Sequence, residues 1–411
     1  MQRSAKFVKY LPDYGWRPIV LTLNRPVQRL RDETLFSEIP PDTVIIRTRT
    51  LEPPDDWRGP LRLLIWGPLT PLCVPDMGNW WLPWAIPAGL RQIRTRAVRV
   101  IYATGAPFSS HLLGAILKIR TGIPLVLDYR DEWTLNPLYW SQRRAYWVMF
   151  KPIERLLQRW VIGVADRVIL VTDSARRAFV EAFGNPDKFV TIRNGYDKED
   201  LERAIRPDLP ADRLHIVYTG STYELDSRPS LFLKGLRQAI DMSTSFGKNV
   251  MVHFVGELDS ESRDLIVDLG LTPCVKAEGY VPHGKSVGYL KQADALLLIS
   301  WSVSTRVPGK TYEYLAVRKP VLALMPRDAE PLRLLNETGA GIWLDPGNTS
   351  SIAAELIRLE RLWRNGALNR LINDVSVGKY ERKVLTGQLA QVFDAVHGST
   401  QSRRNNFCDQ T

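Results

Sequence analysis

The strongest constraint on this chain is a rhythm that repeats along it. A short apolar run rich in β-branched residues is followed by a break at glycine, aspartate or proline, and then by apolar residues at helical spacing. "RVIYATG" precedes the helical "SSHLLGAILKIRTG", "IPLVLDYR" comes next, and "ADRVILVT" leads into "DSARRAFVEAFG". The runs are apolar at successive positions, which marks strands covered on both faces, and a crossover helix separates each from the next. Such a chain folds as α/β, with parallel sheets between helix layers. At 411 residues it is longer than one core ordinarily organises, so two domains are expected.

The rhythm pauses near "FVTIRNGYDKEDLERAI", where Asn194-Gly195 gives way to a charged stretch, and restarts at "LHIVYTG". It continues through "NVMVHFVGE", "CVKAEGYVPHGKSVGYLKQADALLLIS" and "KPVLALMP". The sequence therefore predicts two Rossmann-like domains, residues 1–197 and 198–374. A last helix is expected over 375–397, and the polar, unpatterned tail 398–411 reads as disordered.

Composition excludes several classes. Hydrophobic content of 45% with 24% charged residues is that of a globular protein and argues against wholesale disorder. Cys73, Cys274 and Cys408 are odd in number and far apart, against a disulfide framework or a cysteine-rich zinc site, and they suit a reducing, cytoplasmic location. Proline cuts "LRLLIWGPLTPLCVP" and "NWWLPWAIPAGL" well short of the roughly 18 apolar residues a spanning helix needs. The N-terminus lacks the order of a signal peptide; "QRSAKFVKYLPDYGW" instead sets Phe7, Val8 and Leu11 on one helical face ahead of a strand at "RPIVLTL".

The net charge of +11 is concentrated in the first half, as are most of the tryptophans. Two readings stay open: a basic surface with buried indoles, or peripheral contact with an anionic membrane. Nucleic acid is the rival partner for such a surface and is not the one expected. "RRAYWVMFKPIERLLQRWVIG" mixes Arg, Lys, Trp and aliphatic residues in a way that suits docking at the inner face of the plasma membrane, or burial as a helix between domains.

Candidate ligand residues stand where strands end. Gly220 closes "IVYTG", and Gly309 opens the helix after "LLLISWSVSTRVP"; each permits close backbone approach to a phosphate, or is a turn residue. Arg228 follows Gly220, and Lys310 follows Gly309. A cation on the first turn of a helix opposes the helix dipole unless an anion is shared between them. Glu313, three residues on, suits hydrogen bonding to ribose hydroxyls, or forms an exposed pair with Lys310.

"PGKTYEYLAVRKPVLAL" and "YTGSTYELDSRPSLFLKGL" resemble the C-terminal domain of the GT-B glycosyltransferases of the GT4-like, retaining kind. "VPDMGNWWLPWAIPAG", "IYATGAPFSSHLLG" and "LDYRDEWTLNP" look like the acceptor-side domain of that group, in the same order. The resemblance covers almost the whole chain. It implies the GT-B fold, two Rossmann-like domains facing across a cleft, with the last helix crossing back to the first domain. It implies transfer of a glycosyl group from a nucleotide-diphosphate sugar to an acceptor hydroxyl, without metal or cofactor and with retention of configuration, in building a surface polysaccharide or glycolipid. The acceptor would be a saccharide or lipid-linked.

Carried over by position, Gly220, Arg228, Gly309 and Lys310 would hold the donor diphosphate. Glu313 matches the second glutamate of the family's pair, a ribose ligand, whereas the first falls at Thr305, which is not acidic. Arg130 and Asp131 would face the donor sugar as catalytic candidates, with His111 a third, or else a packed or capping histidine. Asp128 and Asp131 read equally as a helix cap and a buried partner for Arg130. One departure is large: the family's first strand and glycine-rich loop are expected ahead of a helix that already contains residue 1. A start codon placed too late, or a silent truncated module that binds a nucleotide, would each explain it. A sugar-nucleotide epimerase of the same architecture is a further reading.

Overall fold

The computed structural model describes residues 2–24, 34–52, 73–136, 140, 149–222, 228–301, 306–368 and 377–408. The chain divides into two units: Met1–Arg193 together with Arg382–Thr411, and Asn194–Glu381.

In the first unit, β1 (Ile19–Leu23) pairs in parallel with β2 (Val44–Thr48). A separate parallel sheet runs in chain order through β3 (Ile101–Gly105), β4 (Leu125–Tyr129), β5 (Arg167–Leu170) and β6 (Phe189–Thr191). β4 is buried along its whole length because helices cover both its faces. Leu125 and Leu127 pack into one apolar cluster with Phe108 and Val161, and Val126 into the other with Phe7 and Phe393. As the sequence predicts, the chain begins on a helix, Gln2–Tyr10.

That helix corrects the reading of Asp128. Arg3 donates from Nε and Nη2 to the two Asp128 carboxylate oxygens, each at 3.0 Å, and also binds the carbonyls of Ile192 and Arg193. Asp128 accepts further bonds from the hydroxyls of Tyr102 and Thr104. It is neither a helix cap nor the partner of Arg130. Strand alternation puts position 128 on the face of Val126, under the first helix. Burial alone would raise the carboxyl pKa, and the Arg3 charge and hydrogen bonds pull it below the ordinary value.

The final helix, Arg382–Cys408, belongs to the first unit, where Leu385, Leu389 and Phe393 pack with Phe7 and Leu11. It continues past His397 into the segment read as disordered. Gly398 alone costs a helix about 1 kcal/mol, which is too little to end it, and Ser399 Oγ donates back to the Ala395 carbonyl at 2.8 Å.

The second unit holds β7 (Leu214–Thr219), β8 (Val250–Val255), β9 (Val275–Gly279), β10 (Ala295–Ile299), β11 (Val321–Leu324) and β12 (Gly341–Leu344). All pair in parallel, in the order β12-β11-β10-β7-β8-β9. Successive β10 residues serve opposite cores: Leu297 and Ile299 meet Phe232 and Leu236, while Leu296 and Leu298 meet Tyr312 and Leu315. The unit ends at Glu381, beyond the expected 374, since the Tyr196 N–H donates to the Tyr380 carbonyl and the Tyr380 ring stands edge-on to Tyr312.

Candidate active site

The strand order of the second unit fixes where a ligand belongs. The chain winds from β7 out to β9, then returns to β10 on the other side of β7 and winds out to β12. The crevice at the carboxyl ends of β7 and β10, where the direction reverses, is the binding position of such a sheet. Gly220 follows β7 there with φ +110, a conformation open to glycine. After β10 comes the helix Gly309–Ala316, which carries Lys310.

The structure brings Gly220, Gly309 and Lys310 together. Lys310 Nζ donates to the Thr219 carbonyl at 3.1 Å and lies 3.9 Å from the centre of the Tyr218 ring. A Cβ on Gly220 would stand 3.6 Å from the same nitrogen. A carbonyl and an aromatic face thus hold the ammonium that the helix start alone would repel. The far side of the helix is anchored as well. The Tyr314 hydroxyl accepts from the Thr219 N–H at 2.9 Å and donates to the Leu297 carbonyl, tying the helix to β7 and β10. Burial keeps that phenol protonated, well above its usual range.

Two neighbours escaped the sequence reading. Gly256, after β8, has φ +139, and a Cβ there would lie 2.4 Å from the Gly220 carbonyl oxygen, so only glycine lets this turn pack on the Gly220 turn. Its signal was present: "FVGE" ends a strand on glycine as "VYTG" does. His283 opens the helix His283–Gln292, and its Nε2 lies 3.7 Å from Glu313 Oε1 and 3.5 Å from Asp200 Oδ2. "VPHGK" repeats the break of "VPGK" before Lys310, which is the trace it left.

Arg228 has other described partners. Its Nη1 donates to Glu261 Oε2 at 2.7 Å, on the helix Ser260–Asp268, and its carbonyl accepts from Trp301 Nε1 at 3.0 Å. Thr305 lies outside the described residues.

In the first unit, Arg130 and His111 meet at the carboxyl ends of β3 and β4. Arg130 Nε donates to the Gly105 carbonyl at 2.9 Å, and Nη2 to the Ala106 carbonyl. A Cβ on Gly105 would stand 2.8 Å from His111 Cε1. His111 is wholly buried against Phe108 and Tyr129, with Nε2 3.3 Å from the Asp128 carbonyl oxygen. Burial lowers its pKa to about 4, so the ring is neutral at physiological pH. Asp131 is half-buried beside Arg130. The helix Ser109–Thr121 that carries His111 is capped from a distance: Asp76 accepts from the N–H groups of Phe108 and Ser109 at 2.5 and 3.1 Å and of Gly78 at 3.0 Å.

Residues 3–195 match the Glycosyl transferase 4-like domain, and residues 213–361 the Glycosyl transferases group 1 domain. The probable glycosyltransferase WbjE of Pseudomonas aeruginosa is 23% identical over 256 residues, spanning 59% of this chain and 61% of that protein's length. Among solved structures, Anabaena HepE in complex with UDP superposes with a TM-score of 0.62 at 16% identity, over 95% of this chain and 96% of its own. A glycosyltransferase from Rickettsia africae gives a TM-score of 0.61 at 13% identity, over 96% and 94%. A putative UDP-N-acetylglucosamine 2-epimerase from Listeria monocytogenes gives 0.57 at 12% identity, over 94% and 91%. At such identities the superpositions speak for the fold. The two domain matches together take in most of the chain, and it belongs to the group 1, GT4-like family of glycosyltransferases, with the α/β, GT-B architecture.

Proposed function

We propose that the protein is a retaining glycosyltransferase that moves a sugar from a nucleotide-diphosphate donor to an acceptor hydroxyl. The observation that carries this reading is the meeting of Lys310 with Gly220 at the point where the second sheet reverses direction. A diphosphate placed there receives the ammonium and meets the opening turn of the Gly309 helix, beside the two φ-positive turns at Gly220 and Gly256. The same groups stabilise the charge that builds on the leaving nucleoside diphosphate, a task that positive side chains perform without a metal ion. Glu313 accepts hydrogen bonds from the ribose, with His283 setting the carboxylate's orientation. Arg228 completes the diphosphate site by exchanging Glu261 for phosphate. In the first unit, Arg130 and Asp131 act toward the sugar, and neutral His111 braces the Gly105 turn that Arg130 grips.

The acceptor is a saccharide or lipid-linked saccharide, for a surface polysaccharide or glycolipid, met at the inner face of the plasma membrane. The helix Lys151–Val164 supports this part. Its polar residues Glu154 and Gln158 are buried, bonded to Trp133 and Thr134, while Ile153, Leu156 and Trp160 are exposed. Val161 and Ile162 are buried beside Glu154 and Gln158, and the outward set of apolar side chains with Arg155 and Arg159 suits the boundary of an anionic membrane.

UDP-glucose is the first donor to assay, because HepE has been solved with it. The test is product analysis with labelled nucleotide sugar and a panel of acceptors. Acceptor-linked label with the anomeric configuration of the donor is the expected result. Release of an epimerised sugar nucleotide instead, or transfer unaffected by Lys310→Ala, overturns the reading.

A further inference from the structure

Two histidines stand inside strands of the second sheet, among apolar neighbours. His215 lies on β7 and His253 on β8, both almost wholly buried. Val217 pairs with His253 in register, so alternation along the strands puts both imidazoles on one face of the sheet. They meet there, with Nδ1 of His215 2.9 Å from Nε2 of His253. The line of contacts continues at each end. His215 Nε2 lies 2.7 Å from the Pro210 carbonyl oxygen, and His253 Nδ1 lies 2.8 Å from Glu278 Oε1 on β9.

Such a line has a fixed hydrogen requirement. Each of its three contacts needs one N–H, because a carbonyl oxygen and a carboxylate only accept, and two bare ring nitrogens repel. Two neutral imidazoles supply two. The third hydrogen makes one ring an imidazolium, with the Glu278 carboxylate as its counter-charge. Around the line stand Lys276, opposite His253 across the strands, and Tyr289 of the helix His283–Gln292, whose hydroxyl donates to Glu278. Asp294 accepts the His215 backbone N–H and lies near Lys319. Burial draws the His253 pKa below its ordinary value, against the pull of Glu278. The third proton is therefore taken up as the pH falls and lost as it rises.

Glu278 sits at a break in the ladder. Phe254 pairs with Ala277 but Val255 with Gly279, which makes Glu278 the extra residue of a β-bulge. The next residue is tied to the donor crevice: the Gly279 carbonyl accepts from the Gly256 N–H at 2.8 Å, and Gly256 is the turn that packs on Gly220. We propose that His215, His253 and Glu278 form a one-proton latch that holds this bulge and so positions the Gly256 turn. Its bearing on the ligand rests on the donor reading above; the hydrogen count and the bulge do not. Without the third proton a bare nitrogen faces a carboxylate, the two repel, and bulge and turn loosen together.

Glu278→Gln separates a latch from mere packing. The amide has nearly the shape of the carboxylate, and its N–H supplies the third hydrogen to a neutral His253, so the line closes with no added proton. As the pH rises from 5 to 8, the Gly256 amide of the parent, corrected for intrinsic exchange, should lose about fivefold or more of its protection, while the variant keeps it. NMR of the histidine rings should show one of the two taking up a second ring proton as the pH is lowered over the same range. UDP, the nucleotide of the donor to be assayed first, should bind both proteins equally at pH 5 and the variant about threefold or more tighter at pH 8; ionisation of its own phosphate is common to both and cancels. Parallel protection profiles in parent and variant, or two rings neutral throughout, would overturn the latch. Protection that follows the pH with UDP affinity equal in the two proteins would overturn its tie to the crevice. No UDP binding by either protein would count against the donor reading itself, while the exchange data decide the latch.

Discussion

The ammonium of Lys310 rests 3.1 Å from the Thr219 carbonyl oxygen, directly before Gly220. The two residues sit 91 positions apart in the chain and are joined because β7 and β10 are neighbours in the sheet. A cation so held is positioned before any anion arrives, and electrostatic stabilisation is strongest when its groups need no rearrangement. Lys310→Ala should lower kcat/KM for transfer by roughly 10²-fold or more, with Lys310→Arg recovering part of the loss. Arg228→Ala should show a loss of similar size if Arg228 leaves Glu261 for phosphate. Steady-state kinetics on the variants, with circular dichroism to verify folding, checks both.

Gly256 allows a sharper test of the same crevice. An added Cβ would press to 2.4 Å from the Gly220 carbonyl oxygen, a backbone atom with no side-chain torsion to relieve it, in a conformation that side chains rarely adopt. Gly256→Ala is expected to destabilise the protein by about 2 kcal/mol or more and to displace the Gly220 turn. Donor affinity should fall even where the variant stays folded. Isothermal titration with nucleoside diphosphate below the unfolding temperature reads that loss, and unchanged affinity would separate Gly256 from the site.

The contrast between these residues and the missed ones explains what was legible. Gly220, Gly309 and Lys310 carry their signal locally, as a glycine or cation at a strand-to-helix junction, and sheet order does the rest. Gly256 and His283 left similar local marks. Arg3 and Asp128 are 125 residues apart, and nothing near either one announces the pair. Asp76 caps a helix 32 residues downstream, which no capping pattern can show because such patterns span a single turn. The extent of the last helix was missed for an energetic reason: polar composition suggested disorder, but in the absence of a proline one glycine is a weak stop.

The exposed face of the Lys151–Val164 helix gives a prediction about location. Ile153, Leu156 and Trp160 recur at helical spacing on the outside, with Arg155 and Arg159 among them. Leu156→Asp removes an apolar contact and adds a charge that an anionic surface repels. Co-sedimentation with vesicles containing phosphatidylserine should fall about tenfold or more, while solution-phase donor binding stays unchanged. Equal sedimentation of variant and parent would remove the membrane-facing role of this helix.

His111 gives the protein an acid-sensitive component whose sign follows from its burial. Its pKa in the folded state is about 4, below the 6.5 of the unfolded chain, because burial disfavours the charged ring. Above pH 6.5 the ring is neutral in both states and costs nothing. As the pH falls below 6.5 the unfolded chain takes up a proton that the folded protein refuses, and stability drops until the folded ring itself titrates near pH 4. From pH 7 to pH 5 the loss from this one group is about 2 kcal/mol. Asp128, held below its ordinary carboxylate value, acts only at more acid pH and is silent in this window. Other titrating groups are common to parent and variant and cancel between them. Urea unfolding at the two pH values should therefore show His111→Gln losing about 2 kcal/mol less than the parent, whatever its stability at pH 7. Parallel losses would mean that the ring takes up its proton in the folded protein as readily as in water, against its complete burial.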